Sequence, residues 1–249
     1  MANDPMKQFE IKKILELPQI AGQDISFTNS SLWMVIGVFA IIAFFAFTAK
    51  GKLIPGRLQS LGEMSYEFIA DMVKDTTGPE AMKFFPFVFC LFFFILFANL
   101  LGMNPYAFTT TSHLAVTVSM AVFTVGVVVV AGIWKNGFKW FKIFVPSGLP
   151  LPMYLLIVPI EIISFLSRPI TLAVRLFANM TAGHVMLKLF AIFTAYLVGK
   201  GGLMAGAAIV PIIGTMGIVA LEFLVAGLQA FVFAILTCVY LNDVYHVDH

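Results

Sequence analysis

The sequence predicts an all-α polytopic membrane protein. It should have about five membrane-embedded helices plus an amphipathic surface helix, the last two long, strongly tilted and forming a hairpin. Three observations carry this. The 249-residue chain is 60% hydrophobic, with a mean hydropathy of +0.97. Only 11% of residues are charged, where a soluble domain carries about a quarter. Several apolar runs reach the roughly 20 residues a helix needs to cross a bilayer. They are continuous and lack the alternation of a membrane barrel.

Residues 1–29 read as a short extramembrane arm, in which Ile11, Ile14, Leu15 and Leu17 can form one greasy face on the membrane surface. The arm has no apolar core and no small-residue cleavage site, so no cleaved signal peptide is expected. Residues 30–249 should form a single membrane domain. The first span covers 31–49, with Ser30 or Asn29 as its cap and Trp33 at the interface. Lys50, Lys52 and Arg57 follow at once and should face the cytoplasm, because cytoplasmic loops carry an excess of Lys and Arg. Residues 57–76 interleave Leu58, Leu61, Met64, Tyr66, Phe68 and Met72 with Glu63, Glu67, Asp71 and Lys74. That pattern suits a helix on or near the membrane surface.

The second span covers 82–103. Its phenylalanines serve lipid contact and packing. Asn99, near its far end, can line an aqueous cavity or hydrogen-bond a neighbouring helix. The loop around 104–113 has no Lys or Arg, and the third span, 114–134, is followed by Lys135, Lys139 and Lys142. Two basic clusters therefore fall on one side. The amino terminus is expected outside, in the periplasm of a bacterium, and the carboxyl terminus in the cytoplasm. Lys7, Lys12 and Lys13 in the arm argue mildly the other way.

After a turn-rich linker at 146–152 come two long segments, near 153–198 and 203–241, separated by GKGG at 199–202. Each, if helical throughout, would be about 60 Å long. The hydrocarbon core is about 30 Å thick. These helices must be steeply tilted, bent, or both. Pro159, Pro169 and Pro211 are candidate bend points.

The stretch EIISFLSRPITLAVRLFANMTAGH, 161–184, carries the polar groups that a greasy helix does not need. Glu161, Arg168 and Arg175 are spaced by seven and fall on nearly one face. Asn179 returns to that face, and Ser164 and Thr171 flank it. His184, nine residues past Arg175, points to roughly the opposite side. On the second arm, Glu222 and Gln229 are again seven apart.

An arginine keeps its charge at ordinary pH, so Arg175 is a permanent cation within the membrane. It suits holding or displacing a carboxylate. Glu161 lies about 21 Å away along a helix, so the natural partner is a carboxylate on another chain. Arg168 stands nearer the basic side, can snorkel, and suits a structural role. His184 and Glu222 flank the GKGG turn. With antiparallel arms, one turn of stagger brings them together as a proton relay or a static ion pair. In the same scheme Gln229 lies near Arg175.

Other chemistries lack support. A net charge of +2 gives no case for nucleic acid. Cys90 and Cys238 sit in apolar runs as ordinary packing residues, with no disulfide framework. There is no metal-ligand pattern, no cofactor motif and no nucleophile arrangement. GKGG is too short for a phosphate loop and has no following Ser or Thr.

The run LAVRLFANMTAGH (172–184), with LEFLVAGLQAFVFAILTCVYL (221–241), resembles subunit a of F-type ATP synthases. That resemblance implies a non-catalytic, proton-translocating stator subunit with no nucleotide chemistry of its own. Arg175 matches the stator arginine that faces the carboxylates of the rotating c-ring. Asn179 and Gln229 match its polar neighbours, and His184 and Glu222 match the paired proton-access positions. The order His then Glu is similar to the mitochondrial and alphaproteobacterial type, and length and arm favour a bacterial inner membrane. The implied partners are the c-ring, b-type subunits of the peripheral stalk, and membrane lipid. Two offset half-channels are implied, the outer past His184 and Glu222, the inner along Glu161, Ser164, Thr171 and Asn179. The alternative is a secondary transporter with an anion site at Arg175. It would need inverted repeats, and the two halves of this chain do not resemble each other.

Overall fold

The computed structural model describes residues 11–15, 26–49, 51, 54–104, 107–145 and 151–245. Most of the arm, Lys50, Lys52, the linker at 146–150 and the histidine-bearing tail at 246–249 lie outside the described residues. The side chain of Lys142 does so too.

Seven α-helices are described. They are α1 (Asn29–Thr48), α2 (Arg57–Thr77), α3 (Phe85–Gly102), α4 (Leu114–Asn136), α5 (Leu151–Lys200), α6 (Gly202–Ala207) and α7 (Ile209–Tyr245). Five helical segments are long and apolar enough to cross a membrane: Asn29–Thr48, Ala81–Gly102, Leu114–Trp140, Met153–Lys200 and Met204–Val244. The chain is a multi-pass helical membrane protein.

Several local expectations need correction. In the arm, Lys13–Leu15 is a strand paired antiparallel with Phe27–Thr28. Ile11, Ile14 and Leu15 remain exposed there. The cap of α1 is Thr28, not Ser30 or Asn29: its hydroxyl accepts from the Ser31 N–H at 3.4 Å. Asn29 instead accepts at Oδ1 from the Ser30 N–H (3.0 Å) and the Lys12 N–H (3.1 Å), tying the arm to the helix.

The second long segment is split. α6 ends at Ala207 and α7 starts at Ile209. Pro211 explains the break, because it has no N–H for the carbonyl of Ala207 and its ring crowds that carbonyl. α5, by contrast, runs unbroken through Pro159 and Pro169. It continues through Gly199 and Lys200, so the reversal falls on Gly201 and Gly202, both at positive φ (69° and 58°).

The core forms where α7 packs along α3, α4 and α5. Phe44 and Phe45 of α1 meet Phe93 of α3, the latter pair edge to face at 4.8 Å. α2 sends Ile69, Met72 and Val73 into this core and leaves Leu58, Leu61, Met64, Tyr66 and Phe68 exposed. Gly132 allows α7 to close on α4, since a Cβ there would run into Val244 and Trp140. The Asn136 amide Nδ2 donates to the Val244 carbonyl at 2.6 Å and fixes the register at that end.

Candidate functional site

The site lies on the hairpin of α5 and α7. Leu172, Leu176, Met180 and His184 recur every four residues along α5 and are buried. Arg175 and Asn179 are offset by one residue from this row, about 100° around the helix. Arg175, Thr171 and Ser164 are exposed, and Asn179 and Glu161 are half-buried. The exposed polar stripe runs between Leu166, Ile170 and Val174, which are exposed apolar residues. Leu221, Leu224 and Leu228 of α7 are exposed as well. Among the described residues, no hydrogen bond or ion pair engages the Arg175 guanidinium.

The arms are antiparallel, with Phe190 against Gly214 and Gly183 against Glu222. A Cβ on Gly183 would run into the Glu222 carboxylate. Glycine is therefore what lets this side chain lie against α5. Seven residues further along each arm, Gln229 comes level with Leu176, one residue from Arg175. Gln229 is itself buried.

Glu222 is 8% exposed, and both its carboxylate oxygens are buried without a hydrogen-bond partner. A direct Glu222–His184 hydrogen bond is thereby excluded. His184, 6% exposed, reaches away from α7 to the turn after α3, where its Nε2 lies 3.0 Å from Thr109 Oγ1. The two titratable groups sit at one level of the hairpin but face different neighbours. Further buried polar atoms without a described protein partner are Thr181 Oγ1 one turn before His184, both amide atoms of Asn99 one turn before Gly102, and Thr111 Oγ1. Buried polar atoms of this kind are normally satisfied by internal water. The orphaned amide also goes against the helix-bonding reading of Asn99.

Sequence reasoning missed Thr109, Thr181, Tyr240 and Asp243. The available signal for the first was a run of four hydroxyl residues, Thr109 to Ser112, in a charge-free loop between two spans. Arg168 finds its charged partner on α7. It donates to Asp243 Oδ2 at 3.1 Å and lies 4.6 Å from the Tyr240 ring centre and 5.6 Å from that of Phe165. Both ends of the ion pair are partly exposed (18% and 39%), which limits its strength. Arg168→Gln is expected to cost about 1 kcal/mol of stability through the lost pair and ring contacts and to leave proton transport within about twofold. Thermal unfolding beside a transport assay checks this.

The family described as ATP synthase A chain matches residues 31–242. The chain belongs to that family. A protein of Hyphomonas neptunium called ATP synthase subunit a is 59% identical over 249 residues, covering 100% of this chain and 98% of the relative. One from Rhizobium meliloti is 57% identical over 247 residues, covering 99% and 98%. One from a Chelativorans species is 54% identical over 250 residues, covering 100% of both. Both carry the same description. The A-chain match encloses every polar group described above on the hairpin apart from Asp243.

Proposed function

We propose that this chain is the proton-translocating stator subunit of a rotary ATP synthase, with its Arg175 face against the ring of carboxylate-bearing subunits. One observation carries the reading: an arginine that engages no described residue by a hydrogen bond or ion pair stands on the exposed polar stripe of α5, flanked by apolar side chains. Such a charge seeks a carboxylate on another chain. Behind it, Glu222 and His184 supply titratable groups within a buried polar region.

A proton entering from the periplasm passes His184 and Glu222 and neutralises a ring carboxylate, which can then turn into lipid. A carboxyl group reaching the other side gives up its proton along Glu161, Ser164, Thr171 and Asn179. Arg175 separates the two paths and favours the ionised ring carboxylate between them. Gln229 supports the guanidinium from α7. The chain sits in a bacterial inner membrane, amino terminus in the periplasm and carboxyl terminus in the cytoplasm, and joins b-type subunits of the peripheral stalk. Family membership and the lack of repeated halves leave no support for a self-contained anion transporter.

Cysteine cross-linking tests the face assignment. Thr171→Cys, Ala178→Cys and Ala182→Cys, one per chain, are expected to form disulfides with cysteines on the carboxylate-bearing helix in native membranes. Leu172→Cys, on the buried row, is not. Cross-links at Leu172→Cys alone, or at none of the positions, would reject the docking face.

A further inference from the structure

Three helices place orphaned polar atoms at one level of the bundle. They are both amide atoms of Asn99 on α3, the Thr181 hydroxyl on α5 and both carboxylate oxygens of Glu222 on α7. α3 and α5 each pack along α7. Two contacts set α3 against α7. Phe68 of α2 lies against both Phe92 and Phe231, with ring centres 6.2 and 5.9 Å apart. At the other end of α3, Thr109 Oγ1 lies 3.2 Å from the Gly102 carbonyl and 3.0 Å from His184 Nε2, and Gly183 beside that histidine meets Glu222. Phe92 is therefore near Phe231 and Gly102 near the level of Glu222, so α3 and α7 are antiparallel. Asn99, seven residues past Phe92, comes level with Leu224, about 3 Å along the axis from Glu222. On the hairpin, the pairing of Gly183 with Glu222 brings Thr181 level with the same Leu224. Asn99 also continues the buried row of Val88, Phe92 and Ile95 and is itself 0% exposed.

We propose that Asn99 is a positioning residue for Glu222: with Thr181 it holds internal water against the carboxylate, and so fixes the hydrogen-bonded approach by which that group takes up and releases the translocated proton. This rests on the proposed place of Glu222 on the proton path. Groups that share a shielded level without touching are commonly joined by water, and such a bridge is nearly as good as a direct hydrogen bond. A buried water makes about three hydrogen bonds, and these side chains offer both donors and acceptors for them. The amide suits the task because Nδ2 donates while Oδ1 accepts, and neither titrates. It can orient water beside the carboxylate without competing for the proton. A leucine of similar size would leave the carboxylate facing hydrocarbon, where its charged form is costly. The ionisable groups near this level are few. α5 brings His184, with Lys188 one turn further and Arg175 below; α3 has only Cys90, α4 only Lys135 at its far end, and the turn from Thr109 to Ser112 none.

The test is infrared difference spectroscopy of the assembled complex between its protonated and deprotonated forms. The Glu222 carboxyl band is assigned by its loss in Glu222→Gln. Asn99→Leu keeps the volume and removes the amide. It is expected to move that band to higher frequency, as a carboxyl group does on losing a hydrogen bond. It is also expected to lower proton-driven ATP synthesis about fivefold, the worth of one ordinary hydrogen bond. Asn99→Ser keeps a polar group that can hold water, and is expected to recover most of both. Thr181→Val is expected to move the band in the same sense, and it decides the matter if Asn99→Leu does not assemble. A parent-like band in Asn99→Leu, or in Thr181→Val where that variant decides, overturns the proposal. So does an Asn99→Ser complex as impaired as Asn99→Leu. A moved band with unchanged synthesis leaves the positioning intact and overturns the place of Glu222 on the path.

Discussion

Arg175→Ala is expected to abolish ATP synthesis driven by a proton gradient. The complex should still assemble, because the side chain projects from the exposed face and holds no described neighbour by a hydrogen bond or ion pair. Its proposed work is done on another chain. At about 4 Å and an effective dielectric near 20, a unit charge changes the energy of an ionised carboxylate by about 4 kcal/mol. That is about three pK units. Without it, a ring carboxylate passing the stator has no reason to stay ionised between the two paths, and protons can cross without turning the ring. Arg175→Lys retains the charge but not the planar, delocalised, weakly hydrated head, and it is expected to recover only part of the activity. Synthesis in membrane vesicles, with ring assembly measured alongside, decides the matter. Normal synthesis by Arg175→Ala would end the stator reading.

Glu222→Gln is the second large effect expected, a loss of tenfold or more in proton pumping. The substitution keeps the shape of the side chain and takes away its titration. Stability should move the other way. A buried carboxylate without hydrogen-bond partners weighs on the fold, so the neutral amide is expected to unfold no more easily than the parent. The combination separates a group retained for transport from one retained for structure. Fluorescence quenching in inverted vesicles and a thermal melt give the two readings. Parent-like pumping by Glu222→Gln would remove this residue from the path. Gly183→Ala offers a second route to the same point, since its methyl group meets the carboxylate.

The helices and their order were legible in the sequence because long apolar runs leave the backbone no alternative in lipid. So was the division of α5 into two faces, since residues nine apart, such as Arg175 and His184, must diverge on any helix. Register along the hairpin was legible only to within a turn. The turn glycines placed Glu222 near His184. Which of Gly183 and His184 faced the carboxylate depended on packing against α4 and α7, which no periodicity shows. Thr109 was hidden for a different reason. Its partner lies 75 residues away, and a hydroxyl in a short loop has many uses. The break at Ala208 was readable in principle, since a proline acts on the carbonyl four residues before it and not on itself.

The unbroken α5 has a mechanical consequence. It is 50 residues long, about 75 Å, with apolar side chains exposed from Met153 to Val198. An element of that length cannot stand across a film less than half as thick, so it must lie aslant like a beam. It is braced from one flank by α4 and α7, pinned about a third of the way along by Arg168, and the chain reverses just past its end at Gly201 and Gly202. A rotor dragging along its free flank would load it sideways. The strain would then be shared along tens of ångströms of helix and its braces, instead of being concentrated in a loop, and the guanidinium would keep its station while the ring turns under torque.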